Sequence, residues 1–155
     1  MKPLKVMIAT DGSDASIEAA TRAVDLLHPD ARIELVTVID ARHDPMEDAG
    51  GIEGPVETEA QADQAWERSV ADGRDALART AGALGQDSDQ RLLPTRTTVD
   101  RALRDLVAET QPDLLVLGSD QPSWFERFLH GSVDDRLLHH APCPLLIVGH
   151  HNPDA

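Results

Sequence analysis

The residues best suited to chemistry lie in the stretch GSDQPSWFERFLHGSV, Gly118 to Val133, which opens and closes on a glycine followed by a serine. If a helix begins at its end, the backbone amides of Gly131, Ser132 and Val133 carry the partial positive charge of a helix N-terminus. That charge suits a phosphate, and the Ser132 hydroxyl adds a donor. The same Gly131-Ser132 pair serves equally well as a turn and an N-cap, so both readings stand. A second cluster, Thr10-Asp11-Gly12-Ser13, follows the apolar run KVMIA. Its Asp11 can cap a helix and still face a ligand. Neither the phosphate loop that ends in a lysine nor the GxGxxG dinucleotide fingerprint is present, which excludes those two nucleotide motifs.

Other candidates carry less. The adjacent histidines His139-His140 and His150-His151 point in different directions on any helix or strand, and no third ligand stands at a metal-binding spacing. They read as solvated or capping side chains. Cys143, between Pro142 and Pro144, has no base or cation within two residues to favour a thiolate, so it reads as a small packed side chain. Trp124, Phe125 and Phe128 form either an exposed contact for a partner, a lid over a crevice, or a cluster folded back on the sheet.

These residues need a scaffold, and the hydrophobic pattern supplies one. Lys5 to Thr10 reads as a buried strand. Ser13 then caps a helix marked by Ile17, Ala20, Val24 and Leu27 and closed by His28-Pro29. Arg32 to Ile39 is a second, β-branched strand. Asp40 to about Glu59, rich in acids, glycine and proline, reads as an exposed loop. A long helix from about Ala60 to Leu84 shows one face through Trp66, Val70, Gly73, Leu77, Thr80 and Leu84. Arg91 to Val99 reads as an edge strand because of Pro94, and Leu103, Leu106 and Val107 mark a short helix ending at Thr110. Asp113 to Leu117 is a fourth strand, Ser132 to His140 a last helix, and Leu145 to Val148 a fifth strand.

Strands alternating with helices predict an α/β fold: one doubly wound parallel sheet with helices on both faces, formed by residues 1–149 and followed by a frayed tail, 150–155. In such sheets ligands bind outside the carboxyl ends of the strands where the strand order reverses. If strands one and four are neighbours, Thr10-Asp11-Gly12-Ser13 and the Gly118 stretch meet at one crevice.

Bulk properties narrow the partners. A chain of 155 residues fits one compact domain. Its formal charge of −14 repels nucleic acid backbones and anionic lipid, which leaves a small molecule or a protein as the expected partner. One cysteine excludes an intrachain disulfide, and the N-terminal apolar run is too short for a signal peptide or a membrane span. The expectation is a cytoplasmic protein.

The opening strand ending in Ala9-Thr10-Asp11-Gly12-Ser13, the strand DLLVLGS and the ending LLHHAPCPLLIV from Leu137 to Val148 together resemble the universal stress protein family over nearly the whole chain. The resemblance implies a five-stranded parallel sheet in the order 3-2-1-4-5 and a homodimer through the last strand, Leu145 to Val148. It also implies adenine nucleotide binding, ATP with magnesium to offset the local acids. Ala9, Thr10, Asp11 and Val38 would hold the base and ribose, Leu117 and Gly118 would lie beneath ribose and phosphates, and Ser132 and Val133 would contact the phosphates. The nucleotide-binding members share G-x2-G-x9-G-[ST]. Here Gly118, Gly131 and Ser132 match, whereas Gln121 replaces the middle glycine and Pro122 removes the next amide donor. Four acids, Asp120, Glu126, Asp134 and Asp135, face only Arg127 and Arg136 in this segment. The implied role is a stress-response sensor or regulator rather than an efficient enzyme, with slow ATPase activity or autophosphorylation on Ser132 left open. The alternative is a dimeric interaction module of the same family that has lost nucleotide binding and engages a protein through its aromatic loop and acidic segment.

Overall fold

The computed structural model describes residues 2–41, 59–118 and 143–149. Their elements run β1 (Lys5–Ala9), α1 (Asp14–Leu26), β2 (Arg32–Asp40), α2 (Glu59–Leu84), β3 (Ser88–Thr95), α3 (Val99–Thr110), β4 (Leu114–Gly118) and β5 (Leu145–Val148). All strand pairings are parallel and the order is β3-β2-β1-β4-β5, as the family resemblance implied. The chain winds outward from β1 to β3, crosses back to β4 and winds outward again, so the reversal lies between β1 and β4. Among the described residues no helix is long and apolar enough to cross a membrane.

The near-continuous apolar strands follow from burial on both faces. Val6 and Ile8 of β1, Ile33 and Leu35 of β2 and Val116 of β4 pack with Ala19, Ala20 and Ala23 of α1 and Leu77 of α2. The alternate residues Met7, Val36, Leu115 and Leu117 pack against Leu103, Leu106 and Val107 of α3. Alanines on the buried face of α1 let that helix lie close to the sheet. On α2 a β-carbon at Gly73 would collide with Leu92 of β3 and stand 2.7 Å from Ile39 Cγ2.

Ser13 caps α1 as expected, its side chain accepting from the Ser16 amide at 3.2 Å. β1 stops one residue early, at Ala9, although the Thr10 amide still bonds to Val36 O at 2.9 Å. The largest difference from the sequence expectation is β3, which spans Ser88–Thr95 rather than Arg91 to Val99. Its first half, SDQR, has no apolar pattern and is strand only because it pairs with β2, from Ile33↔Ser88 to Asp40↔Thr95. Val99 begins α3 instead. β3 is an edge strand, as Pro94 predicted, and Pro94 lies opposite Ile39. α3 ends on left-handed Gln111 (φ 47°), just before Pro112, which cannot continue it. Most of the expected acidic loop, the last helix at Ser132 to His140 and the tail lie outside the described residues.

Candidate functional site: the crevice at the carboxyl ends of β1 and β2

β1 and β4 are direct neighbours, with Val6↔Leu114, Met7↔Leu115 and Ile8↔Val116 in register, so the turn after β1 sits at the topological switch point. A cleft of about 140 Å³ opens there on the α3 face, lined by Ala9, Thr10 and Asp11 of the β1 end, Val36 and Val38 of β2, and Val99 and Leu103 of α3. Its walls are aliphatic except at the lip, where the exposed Asp11 brings a carboxylate and Thr10 a polar backbone. Whole-ligand pockets typically run to roughly 300–1,000 Å³, so the described walls enclose room for one planar ring system rather than an entire nucleotide.

The lip is held from behind. Gly12 takes φ 74°, and a β-carbon there would fall 2.6 Å from both Cα and Cβ of Ala76 on α2. The β1–α1 turn thus lies directly on α2, and only glycine fits. Thr10 is buried, and its hydroxyl lies 2.9 Å from Ser16 Oγ and 2.9 Å from Thr80 Oγ1 while accepting from the Gly12 amide at 3.1 Å. Ser16 Oγ donates to Asp11 Oδ1 at 2.7 Å, and the Ser13 amide donates to the same oxygen at 2.9 Å. Thr37 Oγ1 donates to Thr10 O at 2.8 Å, tying the turn to β2 as well. The Asp11 carboxylate therefore has a defined orientation, set by donors on α1.

Of the residues assigned to a site from sequence, Ala9, Thr10, Asp11 and Val38 meet in this cleft. Leu117 is fully buried in the α3-side core with Val36 and Leu103, below the cleft rather than in its wall. Gly118 is buried, and a β-carbon on it would point at α1, 3.3 Å from Ala19 Cβ and 3.8 Å from Ser16 Cα. Close helix–sheet packing favours glycine there. Gln121, Gly131, Ser132 and Val133 lie outside the described residues. Sequence reasoning missed Val36, Val99 and Leu103 as walls, and Ser16 and Thr80 as supports. Val36 was legible as the residue two before Val38 on the same strand face. Val99 was hidden by an edge strand drawn too far.

Cys143 packs against the α3-side core, and burial pushes its thiol above the ordinary range despite the smaller opposing effect of the Leu115 backbone. It behaves as a packed residue, in keeping with its neutral surroundings.

An open parallel sheet covered on both faces, with its strand order reversing between β1 and β4, defines a doubly wound α/β domain. The profile of the Universal stress protein family matches residues 4–149, and the chain belongs to that family. A universal stress protein of Methanocaldococcus jannaschii is 29% identical over 155 residues, covering 93% of this chain and 81% of that protein. The crystal structure of a universal stress protein in complex with cAMP is 25% identical with a TM-score of 0.57, over 96% of this chain and 98% of that one. A family member from Arabidopsis thaliana with AMP bound shares the fold at 17% identity and a TM-score of 0.62, over 98% of this chain and 95% of that one.

Proposed function

We propose that the protein is a stress-response sensor or regulator that binds an adenine nucleotide, ATP with magnesium, in the cytoplasm. The observation that carries this reading is the cleft over the ends of β1 and β2, beside the switch point, an aliphatic slot with a fixed carboxylate at its lip. The slot suits the faces of a purine between Val38, Val99 and Leu103. Asp11 suits the donor groups of a nucleoside, an exocyclic amine or a ribose hydroxyl, and would repel phosphates, for which the family resemblance implies Gly131, Ser132 and Val133. Support comes from the family and from the cAMP complex of a relative 25% identical to this chain.

We propose further that two copies pair through β5. Among the described residues this strand has a neighbour only on its β4 side, and Ile147 is 41% exposed upon it. An unpaired apolar edge is a liability that pairing across a two-fold axis removes.

The second reading, a dimeric interaction module without a nucleotide, is favoured by Gln121-Pro122 at the place of the middle glycine. Titration calorimetry with ATP and AMP, with and without magnesium, separates the two. Micromolar binding that collapses in Asp11→Ala supports the sensor. No heat and no thermal stabilisation at millimolar ATP sinks it in favour of the interaction module. Gln121→Gly should tighten ATP binding if the lost glycine is an obstacle.

A further inference from the structure

We propose that Thr80, on α2 and outside the cleft, is a positioning residue for Asp11, acting through a directed chain of three hydroxyls: Thr80 to Thr10 to Ser16 to the carboxylate. The proposal deepens the nucleotide reading above and rests on it for its binding consequence.

The geometry contains three consecutive short contacts. Thr80 Oγ1 to Thr10 Oγ1 is 2.9 Å, Thr10 Oγ1 to Ser16 Oγ is 2.9 Å, and Ser16 Oγ to Asp11 Oδ1 is 2.7 Å. Thr80, Thr10 and Ser16 are all buried, Thr80 completely. Three hydroxyls carry three protons. If each donates towards Asp11, every one of the three contacts receives its own proton and the chain ends on a carboxylate that only accepts. The remaining acceptor positions are then filled by backbone amides, Gly12 donating to Thr10 Oγ1 at 3.1 Å and Asp11 to Ser16 Oγ at 3.3 Å.

The competing arrangement is local. Thr80 Oγ1 also lies 2.8 Å from Ala76 O, the back-bond that threonines commonly make within helices. If Thr80 donates there, the Thr10 proton can serve Thr80 or Ser16 but not both, while Ser16 keeps its bond to Asp11. Four contacts share three protons, so one goes without in either direction: a link on Thr10 here, the Thr80–Ala76 contact when the chain runs towards Asp11. Ala76 O needs no help from the hydroxyl, since the helical amide four residues on already donates to it. A chain of hydroxyls polarised towards a charge is also strengthened at each link. The charge at the end of the chain, together with the amide already on Ala76 O, therefore favours the direction from α2 to the lip of the cleft.

The consequence is that Asp11 is aligned by a residue 69 positions away in sequence, on the helix that also dictates Gly12. Thr80→Val keeps the shape and removes the proton source, and Thr80→Ser keeps the hydroxyl. ATP affinity should fall about 3- to 10-fold in Thr80→Val, the range of a hydrogen bond lost beside a charge, and recover to within about twofold in Thr80→Ser. In an Asp11→Asn background Thr80→Val should cost nothing further, because the terminus of the chain is gone. The carboxyl carbon resonance of Asp11 should shift in Thr80→Val and return in Thr80→Ser, a readout that needs no nucleotide. Wild-type affinity and an unmoved Asp11 resonance in Thr80→Val would overturn the proposal, as would an equal loss with and without the Asp11 carboxylate. A wild-type protein that ignores ATP would end the nucleotide reading alone, and the resonance would still decide the hydroxyl chain.

Discussion

The two faces of the sheet are built to opposite rules. On the α1 and α2 face the helices lie as close as backbone allows, through Ala19, Ala20 and Ala23, through Gly12 beneath Ala76, through Gly73 beneath Leu92 and through Gly118 beneath Ala19. On the α3 face one described helix covers the β1 and β4 strands, and beside Val99 and Leu103 a slot remains over the end of β2. The close face fixes the turn that carries Asp11, and the open face holds the slot that Asp11 borders. Rigidity and access are thus assigned to opposite sides of the same five strands.

Changes that add a single methyl or remove two test this division. The largest expected effect is Gly12→Ala, which combines a left-handed backbone with a 2.6 Å approach to Ala76 and should destabilise the fold by about 3 kcal/mol in denaturant unfolding. A loss of a few tenths would show that α2 yields and that the close face is softer than described. On the open face Val38→Ala, at a half-buried position, should cost only about 1 kcal/mol of stability while weakening ATP binding several-fold in calorimetry. Undiminished affinity in that variant would remove the slot from the binding site. Gly118→Ala should cost about 0.5 kcal/mol or less, since α1 has to move only tenths of an ångström away from a new methyl. ATP affinity in Gly118→Ala should stay near wild type, because the added methyl points at α1, away from the slot.

The smallest effect is kinetic. The raised thiol of Cys143 leaves little thiolate at pH 7, so alkylation by iodoacetamide should be slower than that of a free cysteine. Its rate should climb only as pH rises past the usual thiol range. In the unfolded chain the thiol ionises at lower pH, so this group's contribution to stability is fully present below the ordinary thiol pKa and declines as pH rises towards the folded value. Labelling as fast as a model thiol would place Cys143 outside the core.

Much of this architecture is legible in the sequence because burial on both faces writes strands as unbroken apolar runs: KVMIA, RIELVTVI, LLVL and LLIV all fall where strands form. β3 is not, since Ser88 to Arg91 are polar and owe their conformation to pairing with β2 rather than to any pattern of their own. The lip of the cleft could be read from Thr10-Asp11-Gly12-Ser13, where an apolar run breaks into turn residues. Its support could not, because Thr80 occupies an ordinary helical core spacing between Leu77 and Leu84 and only its hydroxyl sets it apart. Gly118 shows the converse. The motif marks it for a ligand, and its α-carbon also stands close to α1.

Pro94 has a consequence for growth. With a donor missing there and Asp89, Gln90 and Arg91 exposed, β3 is a poor template for another strand, whereas β5 carries the exposed Ile147. Among the described residues, such a sheet offers one edge suited to pairing. If two copies join at β5 as proposed, their β3 edges face outward and offer no template, so pairing would stop at two copies rather than propagate into a fibre.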